Sequence, residues 1–205
     1  MALAGDLSKP EDVAQLVPEC CAALGPPSVL VNNASEFQPD SVVTTTLESW
    51  TAHLDINLRA PVFLAQDLVR HLPAGTDGNI INIIDQRVWK LTPEFFSYTL
   101  SKAGLWTATR TLAQALAPRV RVNAIGPGPV LKSIHQTEED FAAEVASTLL
   151  HRGPSTAEIA AAVRFILDAP AMTGQMIALD GGQHLTWSEG EHNPTAINAL
   201  ADGNS

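Results

Sequence analysis

Two apolar runs of strand length, Gly78-Asn-Ile-Ile-Asn-Ile-Ile-Asp85 and Val120-Arg-Val-Asn-Ala-Ile125, enclose a helix-length segment, and this arrangement constrains the fold more than any other stretch of the chain. The second run leads directly into Gly126-Pro-Gly-Pro129. Strand, helix, strand and Pro-Gly loop is the order in which a parallel sheet carries a helix past the carboxyl ends of its strands, where open α/β sheets bind ligands. A third run, Ser28-Val-Leu-Val-Asn32, is apolar throughout, as expected of a central parallel strand.

The enclosed helix carries chemistry. It holds the chain's single tyrosine, Tyr98, with Lys102 four residues on. If the helix begins near Ser97, the phenol and the ammonium share one face. A phenol ordinarily titrates near pH ~10, so it exchanges a proton at neutral pH only where its anion is stabilised, and a lysine one turn away does that. The plain structural alternative is a surface helix that happens to contain both residues.

With 45% hydrophobic content, 205 residues bury one substantial core, and one α/β domain over residues 1–187 is expected. The net charge of −10, from 22 acidic and 12 basic residues without a basic cluster, argues against nucleic acid or an anionic membrane as partner. There is no run of 18 apolar residues and no signal-like start, so a soluble, cytoplasmic protein is expected. Cys20 and Cys21 are adjacent on an expected helix, where their side chains diverge; they read as packing residues, and no metal site is expected.

Along the chain, Ser8 caps a helix that runs to about Leu24, with Pro10 in its first turn. Apolar residues at helical spacing from Thr46 to about Leu72 predict one long or kinked helix, with His53 and His71 on its solvated face. Residues 133 to about 150 are polar, then amphipathic; His135 and His151 there read as surface groups. Ser155-Thr-Ala-Glu158 is a capping box opening a helix to about Leu167. Arg87 and Trp89 line a pocket or simply lie on a surface loop, and Trp187 packs against the pocket or a subunit interface. Residues 188–205 have no periodicity and few large apolar groups, so a disordered tail is expected.

Taken in order, four segments resemble the short-chain dehydrogenase/reductase family: Val31-Asn-Asn-Ala-Ser35, Asp55-Ile-Asn57, Tyr98-Thr-Leu-Ser-Lys102 and Pro127-Gly128. The resemblance implies a Rossmann-type doubly wound parallel sheet. It also implies catalytic roles for Asn57, Tyr98 and Lys102, with Asn57 holding a relay water beside the lysine. Cofactor contacts would come from Asp6 and Leu7 at the adenine, from Asn33, Ala34 and Ser35, from Tyr98 and Lys102, and from Pro127, Gly128 and Val130 at the nicotinamide, with Asn123 nearby. Lys132 replaces a threonine that grips this end of the cofactor in many members. The region after it resembles a substrate-covering lid, and the two long helices imply a homo-oligomer, a dimer or a tetramer.

Two departures from the family pattern agree with each other. Aspartate stands at position 85, thirteen residues before Tyr98, where most members have serine; and Asn33-Ala34-Ser35-Glu36-Phe37 ends in an aromatic residue. Both resemble the pteridine reductase and dihydromonapterin reductase branch, where the phenylalanine stacks on a pterin. That branch implies NADPH as hydride donor, NADH remaining open, a dihydropterin substrate held by Phe37, Asp85 and Tyr98, and Asp85 as orienter or proton relay of Tyr98. The family's first two strands and glycine-rich turn have no counterpart here, so a sheet truncated at its N-terminus and weak cofactor binding by this chain alone are expected, micromolar NADPH binding by titration calorimetry being the contrary result. Two other readings stand beside this one: a general carbonyl or 3-oxoacyl reductase, and a pseudoenzyme or fragment that serves as an interaction module.

Overall fold

The computed structural model describes residues 1–186. Trp187 and the expected tail lie outside the described residues. Four parallel strands form a sheet in the order β1-β2-β3-β4: β1 (Val29–Asn32), β2 (Gly78–Ile83), β3 (Val120–Pro127) and β4 (Met176–Leu179). Each connection crosses over through a helix, as parallel neighbours require.

Successive side chains along a strand point to opposite faces, and the core divides accordingly. On one face, Ile80 of β2 and Val120 and Val122 of β3 pack with Ala65, Leu68 and Leu72 from α3 (Ala60–His71) and its end, and with Ala113 of α4 (Phe96–Leu116). Helix α1 (Pro10–Leu24) lies outside α3, with Val13 and Val17 against Ala60 and Leu64. On the other face, Ile81 and Ile125 meet Ala162 and Ile166 of α6 (Thr156–Asp168). Because α6 packs on β2 to β4, it leaves β1 uncovered on that side, and Val29 and Val31 are 43% and 40% exposed. The expectation of a central strand buried on both faces therefore fails for β1, which is an edge of the described sheet. Residues 1–6 form no strand.

Local signals placed most elements well. The capping box at Ser155 and Glu158 opens α6, a second at Thr46 and Ser49 opens α2 (Leu47–Leu54), and a third at Thr137 and Asp140 opens α5 (Glu138–Ala146). Ser8 is not the cap of α1. Lys9 occupies that position, while the hydroxyl and the backbone N–H of Ser8 both donate to Asp6 in a local turn. The long helical stretch is interrupted by a π-helical segment, Asp55–Arg59, between α2 and α3, and Asn57 sits inside it. A π segment displaces the ladder by one residue and turns side chains toward a site that a continuous α-helix would miss.

Candidate active site

The carboxyl end of β2 and the first turns of α4 bring three of the expected residues together. The Tyr98 hydroxyl donates to Asp85 Oδ2 at 2.9 Å, and Asp85 Oδ1 accepts the backbone N–H of Arg87 at 2.7 Å. Lys102, 2% exposed, donates from Nζ to the backbone carbonyl of Ile83 at 2.9 Å, and its ammonium lies 5.7 Å from the centre of the Tyr98 ring. The three side chains thus converge within one turn of helix and one strand end.

Burial dominates their titration. Desolvation, followed by the Asp85 carboxylate, holds the Tyr98 phenol well above its ordinary value. Desolvation also raises the Asp85 carboxyl, against the hydrogen bond from Arg87 N–H and the Arg87 charge. It lowers the Lys102 ammonium to about 8, against the Asp85 carboxylate. Burial and Asp85 prevail over the opposing charge of Arg87, so the resting phenol is protonated.

Asn57, 1% exposed, has its side chain fully engaged. Its Oδ1 accepts from Glu36 N at 2.8 Å and Ser35 Oγ at 3.1 Å; its Nδ2 donates to Glu36 O at 2.9 Å and Ser101 Oγ at 3.0 Å. No side-chain donor or acceptor is left for a relay water. The amide instead fastens the 33–37 segment to α4. His53 is fully buried rather than solvated, because α4 and the Phe37 segment close over that face of α2. His71 is exposed as expected.

Phe37 lies 4.7 Å from Tyr98, nearly edge-on, and stacks on Phe95 at 4.4 Å with the rings 8° from parallel. The Arg87 guanidinium covers the Phe95 ring at 4.9 Å. Phe95, in left-handed backbone with φ 54°, was not singled out from sequence; no sequence signal reports that conformation in a phenylalanine.

These groups line a cavity of about 450 Å³ beyond the strand ends, within the range of ligand sites. Of the expected cofactor residues, Asn33, Ser35, Tyr98, Lys102, Pro127, Gly128 and Val130 reach it. Ala34, Asp6 and Leu7 do not: Leu7 packs in the α1–α3 core and Asp6 is engaged by Ser8. Asn123 is buried within β3 and faces the chain leading into β4, donating to Met172 O and accepting from Gln175 N. Arg87 lines the cavity, whereas Trp89 packs edge-on against Trp106 and His184. The lid region contributes Gln136, Phe141 and Glu144, and Glu144 accepts from both Gln136 Nε2 (2.7 Å) and Gln183 Nε2 (3.2 Å). Lys132 turns outward to Gln136 O and Glu138.

The lining suits a polar cofactor carrying hydroxyls and a carboxamide. Lys102 keeps two N–H donors beyond its bond to Ile83 O. Gln86 Oε1, Arg87 Nε and Gln183 Oε1 are buried without a hydrogen-bond partner, and all three residues border the cavity. Buried polar atoms are normally paired, so unpaired ones at a cavity wall mark places that a ligand satisfies.

A family model described as enoyl-(acyl carrier protein) reductase matches residues 1–184. Among solved structures, FolM alternative dihydrofolate reductase 1 from Brucella suis, in complex with NADP, is 53% identical, covering 91% of this chain and 74% of that one, with a TM-score of 0.87. Among curated proteins, glucose 1-dehydrogenase of Gluconobacter oxydans (strain 621H) is 31% identical over 87% of this chain and 70% of its own length. Dihydromonapterin reductase of Citrobacter koseri (strain ATCC BAA-895 / CDC 4225-83 / SGSC4696) is 31% identical over 76% and 66%.

Proposed function

The chain belongs to the short-chain dehydrogenase/reductase family, and we propose that it is an NADPH-dependent reductase of a pterin-like substrate. The observation that carries this reading is the Tyr98–Asp85 hydrogen bond, beside Lys102 and under the Phe37–Phe95 pair. The NADP held by the FolM structure and the activity named for the dihydromonapterin reductase support it.

The cofactor would be held by Lys102, Asn33, Ser35 and the 127–130 loop, and it supplies hydride to the carbon of a C=N bond. The chain's own residues handle the proton and the position. Tyr98 gives its proton to the ring nitrogen, because burial and Asp85 keep the phenol protonated until a stronger base approaches. Asp85, with one oxygen fixed by Arg87 N–H, orients the hydroxyl and, after the transfer, relays to the tyrosinate a proton taken up from solvent. As the tyrosinate develops, the Lys102 ammonium stabilises it through the field of a water-poor site. Phe37, backed by Phe95, gives a flat heteroaromatic ring a surface to stack on and excludes water from the transfer. A homo-oligomer, checked by light scattering, belongs to the same proposal.

The test is spectrophotometric NADPH oxidation with dihydrobiopterin, dihydromonapterin, dihydrofolate, glucose and a 3-oxoacyl thioester as separate substrates. Turnover of a dihydropterin or dihydrofolate above the others is expected. Turnover of the sugar or the thioester in preference overturns the reading, as does inactivity toward all five.

A further inference from the structure

The Phe37 segment is held at three points, one of them directly by a buried histidine and another linked to that histidine through the Ser97 hydroxyl. His53 and Asn57 reach it from one side of the α2–π segment. Asn57 binds both the N–H and the carbonyl of Glu36, and His53 Nε2 accepts the backbone N–H of Gln38 at 3.0 Å. Phe37 is the single residue between those anchors. The acceptor role settles the ring's protonation: Nε2 carries a lone pair, so the neutral ring holds its proton on Nδ1, 2.7 Å from Ser97 Oγ. Ser97 then donates its hydroxyl to Asp40 Oδ2 and its backbone N–H to Asp40 Oδ1 at 3.1 Å. The third anchor, Asp40, is thereby tied to the start of α4 in the same chain of donors. A proton added at Nε2 meets the Gln38 N–H head on, two donors with no acceptor between them.

We propose that His53 is a positioning residue of the substrate site: its neutral, Nδ1-protonated ring latches residues 36–40 so that Phe37 lies against Tyr98, and protonation of the ring releases the segment and weakens substrate binding. The inference rests on the reading of Phe37 as part of a substrate wall. The charged and titratable groups facing the ring are Glu36 and Asp40 from the segment and the Tyr98 phenol from α4, whose ring centre is 6.0 Å away; the Ser49 carbonyl faces it from α2 itself. Burial, the largest influence, lowers the His53 titration against the two carboxylates and Ser49. The latch is therefore intact at neutral pH and opens as pH falls below the ordinary histidine value of ~6.5.

The experiment combines long-range nitrogen-proton NMR of the imidazole, hydrogen exchange at Phe37 and Gln38, and KM and kcat against pH, for wild type, His53→Gln and Ser97→Ala. In wild type the Nδ1–H tautomer is expected at neutral pH, with a titration midpoint below the ordinary histidine value of ~6.5. The protection of the Gln38 amide, corrected for the intrinsic pH dependence of exchange, should fall about tenfold across that titration, since local opening sets it. KM should rise about tenfold over the same interval with kcat changed less than about twofold, the pattern of lost binding rather than lost chemistry. His53→Gln retains an acceptor for Gln38 but does not titrate, so its KM loses the acid limb. Ser97→Ala, which removes the hydroxyl that joins His53 to Asp40 and leaves residue 97 only its backbone N–H bond to Asp40, raises KM at every pH. An Nε2–H tautomer, Gln38 protection indifferent to the titration, or an unchanged acid limb in His53→Gln overturns the proposal. The tautomer and exchange measurements need no turnover, so a wrong substrate reading leaves them standing while a wrong latch does not.

Discussion

At the scale of single residues, the site is governed by how little water reaches Tyr98, Asp85 and Lys102. Tyr98→Phe keeps the ring that packs on Phe37 and removes the hydroxyl proposed as proton donor. A fall in kcat of about 10²- to 10⁴-fold with KM little changed is expected, as for the loss of a general acid, and steady-state kinetics with the preferred substrate checks it. Lys102 makes an alkaline prediction with two opposite signs. Its ammonium titrates at about 8 in the folded chain, below the ordinary lysine value, so the native state binds fewer protons than the unfolded chain above that point. Burying the charge costs stability below about 8, and the cost is relieved as pH rises toward the unfolded value. Activity runs the other way, because the cation that supports the tyrosinate is lost: kcat/KM should fall about tenfold per pH unit above the midpoint. Parallel pH series of kcat/KM and of denaturant midpoint would show the two curves diverging; curves that fall together would reject this assignment.

At the scale of elements, close approach of backbones sets the cavity's far wall. A Cβ on Gly153 would stand 1.7 Å from the carbonyl oxygen of Pro129, in the loop that borders the cavity after β3. That contact is with backbone and has no side chain to give way. Gly153→Ala should therefore displace residues 127–130, weakening NADPH binding about tenfold and lowering stability by about 2 kcal/mol, in the range of overpacked positions. Calorimetric titration and thermal melting read the two effects separately. The π segment is the complementary case. Its register lets His53 and Asn57 point to the same loop while α3 keeps its apolar face on the core.

At the scale of the whole molecule, two arginines, Arg119 just before β3 and Arg121 within it, bind the ends of helices on opposite faces of the sheet. Arg119 donates to the carbonyls of Leu72, Pro73 and Thr76 at the end of α3, and Arg121 donates to those of Ile166, Leu167 and Met172 at the end of α6. Helix C-termini leave carbonyls unpaired and carry negative potential, so a guanidinium there satisfies both. Arg121→Ala leaves three carbonyls without this donor and should cost about 3 kcal/mol. For a domain of this size that lowers Tm by roughly 6–12 °C, measurable by scanning calorimetry.

The order of elements, the ends of α6, the shared face of Tyr98 and Lys102, and the place of Asp85 at a strand end were all determined by the sequence. They rest on spacing, capping and apolar runs, which act within a few residues. What only the tertiary structure decided depends on which element covers which. His53 has the sequence environment of a surface histidine and is buried because α4 and the Phe37 segment close over it. Val31 reads as core and is exposed because α6 stops short of β1. The contest over the Tyr98 proton, between a lysine one turn away and an aspartate thirteen residues back, was settled by desolvation, a property of the assembled site that no local spacing records.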